Sequence, residues 1–180
     1  LWKTNGTAAG TTTIKAKSFG AFETVYGEKI IKLGDKLLFS GYNGAAGSEL
    51  WISDGTEGGT SMLKNVDPTG SGDPQMLREE GGIVYFTADL STTGRELWRT
   101  DGTTDGTLML RDIWPGTGTS TLGTPNAVLN GIFYFTAATP ETGTELWRSD
   151  GTSAGTVIVR NIAAGGVGSA PQNLVNVNGT

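Results

Sequence analysis

The chain has 180 residues, with 18 acidic and 13 basic side chains and a formal net charge of −5. This acidic balance disfavours a phosphate-binding surface, because nucleic-acid-binding proteins concentrate Lys and Arg. The absence of His and Cys excludes Ser-His-Asp, Cys-His and zinc hydrolase schemes within the chain, and no apolar run is long enough to cross a bilayer.

One motif recurs along the chain. Glu-Leu-Trp-x-Ser/Thr-Asp-Gly-Thr occurs at 49–56, 96–103 and 145–152, and a degenerate copy occupies residues 1–7. The Leu residues that mark the copies are spaced by 49, 47 and 49 positions: Leu1, Leu50, Leu97 and Leu146. Such a regular period predicts an array of one supersecondary unit.

The units follow one another in the same order. The first, residues 1–28, ends in a basic loop that we interpret as a solvated face. The units that follow span 29–74, 75–123 and 124–171, and residues 172–180 form the first strand of a further or shared unit. The predicted strands of the three full units are 36–39, 49–51 and 61–63, then 83–86, 96–98 and 107–110, then 127–129, 132–137, 145–149 and 156–162.

Four short antiparallel strands in each unit are typical of a β-propeller blade. The apolar runs, such as Ile132-Phe133-Tyr134-Phe135, are continuous, which predicts that both faces of each sheet are buried. The sequence therefore predicts an all-β, propeller-type array of four-stranded antiparallel blades. Three blades are complete, and a fourth is split between the two ends of the chain.

The split blade lacks the counterpart of residues 133–145, which comprise a second strand and its loop. Two hypotheses account for this. The sequence is a segment of a longer array, or a strand from another molecule completes the blade by β-augmentation. We favour the first, because terminal units of repeat arrays are usually capped.

The repeated pattern Leu-Tyr/Phe-Phe-x-Ala, Gly-x-Glu-Leu-Trp-x-Ser-Asp-Gly-Thr-x-x-Gly-Thr and Asp-Ile-x-Pro-Gly resembles the ELWxxDGT repeat family of bacterial and archaeal proteins. The resemblance covers nearly the whole chain, except that Lys15-Ala16-Lys17 replaces Asp-Ile-x-Pro in residues 1–28. It implies a propeller-like fold and export, and it carries no established activity.

The repeated residues have a structural interpretation. In each Asp-Gly-Thr element we expect Asp to cap the turn through its carboxylate while Gly adopts a positive φ. We expect the motif tryptophans to pack between blades, because large aromatic side chains stabilise most when buried. These positions are Asp54, Asp101, Asp150, Gly55, Gly102, Gly151, Trp2, Trp51, Trp98 and Trp147.

Other loop residues are candidates for binding. The loop 67–73, with Asp67 and Asp73, offers hard oxygen ligands and glycines that suit Ca²⁺, and Asp112 is an acid in the loop that follows the next unit's fourth strand. Glu49, Glu96 and Glu145 are expected on the same loop face, either as further ligands or paired with neighbouring Arg in solvent. Trp114 has no repeated counterpart, which favours a ligand contact.

No catalytic residue stands out, since carboxylate-only glycosidase chemistry needs a distinct acid pair. The leading functional hypothesis is an exported structural or adhesive protein of the extracellular space or cell surface, assembled with other copies of the repeat into a larger array or filament. The alternative is a module that binds a glycan, a surface protein or another ligand through its loop face, with calcium as the one cofactor predicted. We expect no nucleic-acid partner and no membrane span.

Overall fold

The structure, a computed structural model, describes residues 1–14, 30–42 and 44–177. The described residues form strands and connections without a helix, which confirms the all-β prediction. None of these segments supplies a helix of the length and hydropathy that crossing a membrane requires. The predicted basic loop at Lys15-Ala16-Lys17 lies outside the described residues.

The described residues contain fourteen strands in four antiparallel sheets. Sheet 1 has two strands: β1 (Trp2–Lys3) and β2 (Thr12–Thr13). Sheet 2 contains β3 (Ile30–Leu33), β4 (Lys36–Tyr42), β5 (Ser48–Ser53) and β6 (Ser61–Lys64). Sheet 3 contains β7 (Gln75–Glu80), β8 (Ile83–Leu90), β9 (Gly94–Thr100) and β10 (Leu108–Arg111). Sheet 4 contains β11 (Thr121–Leu129), β12 (Ile132–Thr139), β13 (Gly143–Ser149) and β14 (Val157–Arg160).

The predicted strand order is therefore found in all three full units, with different strand lengths. The second strands run further than expected, and the fourth strand of sheet 4 is shorter than the predicted 156–162. The Asn130-Gly131 turn between β11 and β12 has φ angles of 52° and 75°. Two successive positive φ angles are what a type I′ hairpin loop requires, and Asn-Gly is the dipeptide that favours this loop, so the turn is predictable from its residues.

The three full sheets share one strand register. The second strand places a Phe opposite the motif Trp of the third strand: Phe39 with Trp51, Phe86 with Trp98 and Phe135 with Trp147. The register between the third and fourth strands shifts at the same place in each sheet. The residues at this bulge are Leu63, Leu110 and Val159. The sequence repeat is thus also a repeat of backbone geometry.

We call the two faces of each sheet front and back, and in sheet 3 both faces are apolar. On β8, Val84, Phe86 and Ala88 belong to the back face and pack with sheet 2, whereas Tyr85 belongs to the front face and packs with sheet 4. Because successive strand residues point to opposite faces, a continuous apolar run buries both. The prediction that both faces are buried is confirmed for this sheet.

The sheets stack front to back through two apolar clusters. In the first, Leu38, Leu50 and Leu63 on the front of sheet 2 pack with Phe86 and Trp98 on the back of sheet 3. The second repeats this arrangement between the front of sheet 3 and the back of sheet 4. Its members include Tyr85, Leu97, Leu110, Ile113, Phe133, Phe135 and Trp147. The Tyr85 and Phe133 rings stack with centroids 4.2 Å apart.

The stack is tighter on one side. The first strands contact one another in succession, β3 with β7 and β7 with β11. No comparable contact joins the fourth strands β6, β10 and β14 within the described part of the chain. Neighbouring four-stranded sheets therefore approach each other most closely at their first strands.

Segments at both ends lie beside this stack. Ile14 of the first unit is buried, and Lys3 Nζ donates a hydrogen bond to the Gly55 carbonyl of sheet 2 at 3.0 Å. Residues 174–176 lie against the front of sheet 4, where Asn176 Nδ2 donates to the Val128 carbonyl at 3.3 Å. Residues 172–177 form no strand, although they were predicted as one.

Candidate functional site

The Asp-Gly-Thr element forms the predicted turn in each full unit. Asp54 Oδ1 accepts hydrogen bonds from the Thr56 N–H at 2.8 Å and the Thr56 hydroxyl at 2.7 Å, while Gly55 has a φ of 85°. The same contacts recur at Asp101 and Asp150. The degenerate copy keeps this geometry with Asn5 in place of Asp. The predicted carboxylate cap is confirmed.

The turn continues into a chain of hydroxyl contacts. Thr56 Oγ1 accepts the Gly59 N–H at 2.9 Å, and Thr60 Oγ1 donates to the Thr56 carbonyl at 2.5 Å. The buried Ser53 Oγ lies 2.7 Å from Thr60 Oγ1 and accepts the Gly55 N–H at 3.0 Å. This network explains why the motif extends to Asp-Gly-Thr-x-x-Gly-Thr. Its equivalents are present in sheets 3 and 4.

The turn carboxylates are occupied by their own loop. Donation from the Thr hydroxyl, and then from the Thr N–H, lowers the pKa of Asp54, Asp101 and Asp150 below its ordinary value. The second glycine of the motif lies directly beneath the carboxylate. A Cβ at Gly59 would come within 2.0 Å of Asp54 Oδ1. In each full unit, Oδ1 of this Asp is therefore held by the Thr of its own turn.

The motif glutamates are buried carboxylates, which sequence reasoning did not anticipate. Glu49, Glu96 and Glu145 are each 0% exposed. The expectation of a solvated pair with a neighbouring Arg is therefore wrong. The sequence feature that could have indicated their burial is that each Glu directly precedes the Leu-Trp pair of the motif. On a strand whose two faces are both covered, such a position is inside the molecule.

Each glutamate holds the loop that follows the fourth strand. Glu49 accepts the N–H groups of Val66 at 2.5 Å and Gly72 at 2.8 Å, so its carboxylate joins the two ends of that loop. Glu96 accepts the Ile113 and Trp114 N–H groups at 3.2 Å and the Ser120 hydroxyl. Glu145 accepts the Ala163 N–H at 3.0 Å, the Ser169 N–H at 3.1 Å and the Ser169 hydroxyl. Loop N–H groups without strand partners need such acceptors.

These three carboxyls differ in acidity. Burial raises the pKa of Glu96 to about 7, against the lowering effect of the Ser120 hydroxyl and two loop N–H groups. Burial also raises the pKa of Glu49. Donation from the Ser169 hydroxyl lowers the pKa of Glu145. A buried carboxyl that titrates near neutral pH makes stability depend on pH.

The predicted calcium ligands are engaged elsewhere. Asp67 is buried, and its carboxylate accepts the Thr69 N–H at 3.0 Å and the Ser91 N–H at 3.0 Å. Burial opposes but does not outweigh these donors, which lower the pKa of Asp67. Asp73 pairs with Arg95 at 3.0 Å, and Arg95 also contacts Asp89. These contacts join the 67–73 loop to sheet 3.

The structure does not bring the predicted ligands into one cluster. No group of three or more Asp or Glu residues is placed to hold a metal ion in residues 1–14, 30–42 and 44–177. Asp112 and Asn65 occupy equivalent repeat positions, and each has a buried Oδ1 without a hydrogen-bond partner in the described structure. Calcium binding stays a prediction.

Three of the four motif tryptophans are buried, and two of them, Trp98 and Trp147, lie in the clusters between sheets. Trp51, Trp98 and Trp147 are only 6–7% exposed, which agrees with the predicted packing. The prediction is wrong for Trp2, which is 68% exposed. The physical reason is that no sheet of the described residues packs over this side of sheet 1, whereas Trp98 and Trp147 are covered by the preceding sheet.

Trp114, the predicted ligand contact, is half-buried in its loop. Its indole lies over Gly118, where a Cβ would come within 2.4 Å of the Trp114 Cδ1 atom. The close approach fixes one edge of the indole against the backbone, while the backbone N–H of Trp114 is held by Glu96. The loop therefore presents a positioned, partly exposed aromatic ring.

Comparison with known proteins adds no relative. No family model matches the chain, and neither a curated protein nor a solved structure shows a significant match.

We predict that Gly59→Ala destabilises the protein by roughly 1–2 kcal/mol, because Asp54 must rotate away from the new methyl group and lose its bonds from Thr56. Gly58→Ala is the matched control, since its Cβ would have no neighbour within 4 Å. Urea unfolding measures both. In an Asp54→Ala background, Gly59→Ala should cost little, and an undiminished cost there would contradict the proposed contact.

We predict that thermal stability is greatest near pH 5 and falls towards pH 8. The folded state keeps the Glu96 proton up to a pKa of about 7, whereas the unfolded state releases it near the ordinary value of 4.5, so folding becomes less favourable as pH rises between them. The contribution is on the order of 2–3 kcal/mol. Below about pH 4, protonation of the lowered carboxyls, such as Glu145 and Asp101, reduces stability again.

Glu96→Gln tests the origin of this dependence. The variant should melt at lower temperature than the parent at pH 5, because the amide cannot accept from both loop N–H groups, but its melting temperature should change less between pH 5 and 8. Glu141→Gln, at an exposed carboxyl, is the control and should keep the parental slope. An unchanged slope in Glu96→Gln would assign the pH dependence to other groups.

Proposed function

We propose that this chain is an exported, propeller-type repeat protein of the ELWxxDGT kind, with a structural or adhesive role exercised by binding other copies of its repeat. The repeated motif supports the family assignment. The contacts between successive first strands support a propeller, because the blades of a propeller lie closest together next to its central channel.

The observation that carries self-association is the contrast between inner and outer sheets. Leu110 and Ile113 on the front of sheet 3 are 1% and 4% exposed, because sheet 4 covers them. Their counterparts on sheet 4, Val159 and Ile162, are 46% and 62% exposed. The same apolar positions are thus buried in one repeat and open to solvent in the next. Exposed apolar surface at positions that are otherwise buried favours a binding role.

The polar residues of the repeat support a structural role over a catalytic one. The motif carboxylates are occupied by backbone N–H groups and hydroxyls within their own loops. Such groups hold the repeat in shape, which supports a structural role.

Self-association predicts that the mass measured by light scattering rises with protein concentration. Ile162→Lys should weaken this association roughly tenfold or more, since it removes apolar burial and introduces a desolvated charge. Tyr42→Lys is the matched control, because Tyr42 is 44% exposed on sheet 2 and gains the same charge. A strictly monomeric parent protein up to millimolar concentration would contradict the proposal.

A ligand-binding role is the second candidate, and the positioned, half-exposed Trp114 favours it. A glycan array should then show binding that Trp114→Ala abolishes and that Trp51→Phe, in the apolar interior, preserves. The calcium hypothesis predicts a higher melting temperature in millimolar Ca²⁺ than in EGTA. Equal glycan signals for the parent and Trp114→Ala would remove this candidate.

A further inference from the structure

We propose that the outer front face of sheet 4 binds the Trp2 side of a second copy of this chain, in the same front-to-back register that joins the sheets within one copy. The outer front face is defined by Tyr134, Leu146, Arg148, Val159 and Ile162. This inference rests on the proposed self-association and specifies its interface.

The apolar positions of this face repeat those of the two inner interfaces. The bulge residues Leu63 and Leu110 are 9% and 1% exposed in their clusters, and Val159 is 46% exposed. Val66 and Ile113 are 3% and 4% exposed at the next equivalent position, and Ile162 is 62% exposed. A surface with the side chains of an established interface fits the same kind of sheet.

The turn contacts indicate the register. Where two sheets pack together, the residue that follows the motif Trp in one sheet contacts the Gly of the Asp-Gly-Thr turn in the next sheet. Lys3 Nζ donates to the Gly55 carbonyl at 3.0 Å, and a Cβ at Gly151 would lie 3.0 Å from Arg99 Nη1. Arg148 is the equivalent residue of sheet 4 and is exposed. Its counterpart across the proposed interface is Gly6 of the second copy.

Two further contacts extend this register. Thr104 Oγ1 donates to the Leu63 carbonyl at 3.1 Å, and Arg111 Nη1 donates to the Thr156 carbonyl at 3.0 Å. At the equivalent positions of the repeat, the pairs across the proposed interface are Ala8 with Val159 and Arg160 with Thr11. All four of these residues are exposed. Ala8 supplies packing without the hydrogen bond that Thr104 makes.

Sheet 1 is the suitable partner because its outer side is open. The back-face residues Phe86 and Phe135 are buried inside one copy, as is Phe39 of sheet 2, whereas Trp2 is 68% exposed. Sheet 1 consists of the third- and fourth-strand positions of the repeat. Sheets 2, 3 and 4 therefore offer no comparable back face to a second copy.

The front face of sheet 4 is exposed at the positions where the third and fourth strands of a neighbouring sheet would pack. Residues 174–176 already cover the part next to β11, where a first strand would lie. Between them and Tyr134 and Leu146 is a largely apolar cavity of about 220 Å³. Arg148, Val159 and Ile162 remain exposed further out, where third and fourth strands would pack. The contact joins two different surfaces, so it propagates from copy to copy in one direction.

Disulfide trapping tests the register, since the natural chain has no cysteine. Ala8→Cys and Val159→Cys are prepared separately and mixed under mild oxidation. A covalent dimer should form several-fold faster in this mixture than with either variant alone, and dithiothreitol should reverse it. Mixing Val159→Cys with Glu141→Cys, at an exposed loop position, supplies the control rate. Arg148→Glu in the Val159→Cys chain should slow trapping.

The outcomes separate this inference from the proposed function. Trapping no faster than the Glu141→Cys control, in a protein that associates by light scattering, would overturn the interface and leave self-association intact. A protein that neither associates nor crosslinks would overturn both. An internal disulfide in the double variant Ala8→Cys/Val159→Cys at high dilution would overturn the second copy as the partner, because one chain then closes on itself.

Discussion

The packing of one sheet's front on the next sheet's back is the interaction on which the rest of the structure depends. Val84 and Phe86 on β8 belong to one cluster, while Tyr85 between them belongs to the other. A sheet with two apolar faces is poorly stabilised alone, because burial contributes about 25 cal/mol for each Å² removed from water. Stability therefore comes from neighbouring sheets, as in repeat proteins generally.

The polar part of the motif makes this stacking regular. The Asp-Gly-Thr turn fixes the connection between the third and fourth strands through contacts within one loop. The buried glutamate fixes the loop that follows the fourth strand, because it accepts hydrogen bonds from both the beginning and the end of that loop. Among the described residues, no cation pairs with these three buried carboxyl groups, and they are tolerated because backbone N–H groups satisfy them.

Much of the fold could be predicted from the sequence because its signals are local. Asn130-Gly131 marks a hairpin by backbone preference alone, and Asp with Thr two residues later forms a turn within one loop. The function of Glu49, Glu96 and Glu145 could not be predicted in this way. Their N–H partners lie 17 to 24 positions further along the chain, and only the path of the folded loop brings them together.

The candidate site also depends on contacts between residues that are distant in the sequence, which local patterns do not reveal. Asp67 and Asp73 suggested a cation loop by composition, but the nearby Ser91 and Arg95 of sheet 3 engage their oxygens. Trp2 matched its buried counterparts by motif, although its exposure depends on which sheet lies next to it. Local spacing therefore predicts a residue's place in a strand, whereas burial is decided by the neighbouring repeat.

Because burial depends on the neighbouring repeat, the side chains on the two faces of a sheet decide which surface can pack against it. Front and back carry different side chains: leucine, tyrosine and the bulge residue on one, phenylalanine and tryptophan on the other. A face of this kind is complementary to its opposite and not to itself, so the stacking of one sheet on the next is directional. Hydrogen bonds at the edge of the stack, from Lys3 to Gly55 and from Arg111 to Thr156, fix the alignment of neighbouring sheets. Burial of the apolar positions stabilises the stack of sheets, and the polar contacts at its rim fix how each sheet is aligned on the next.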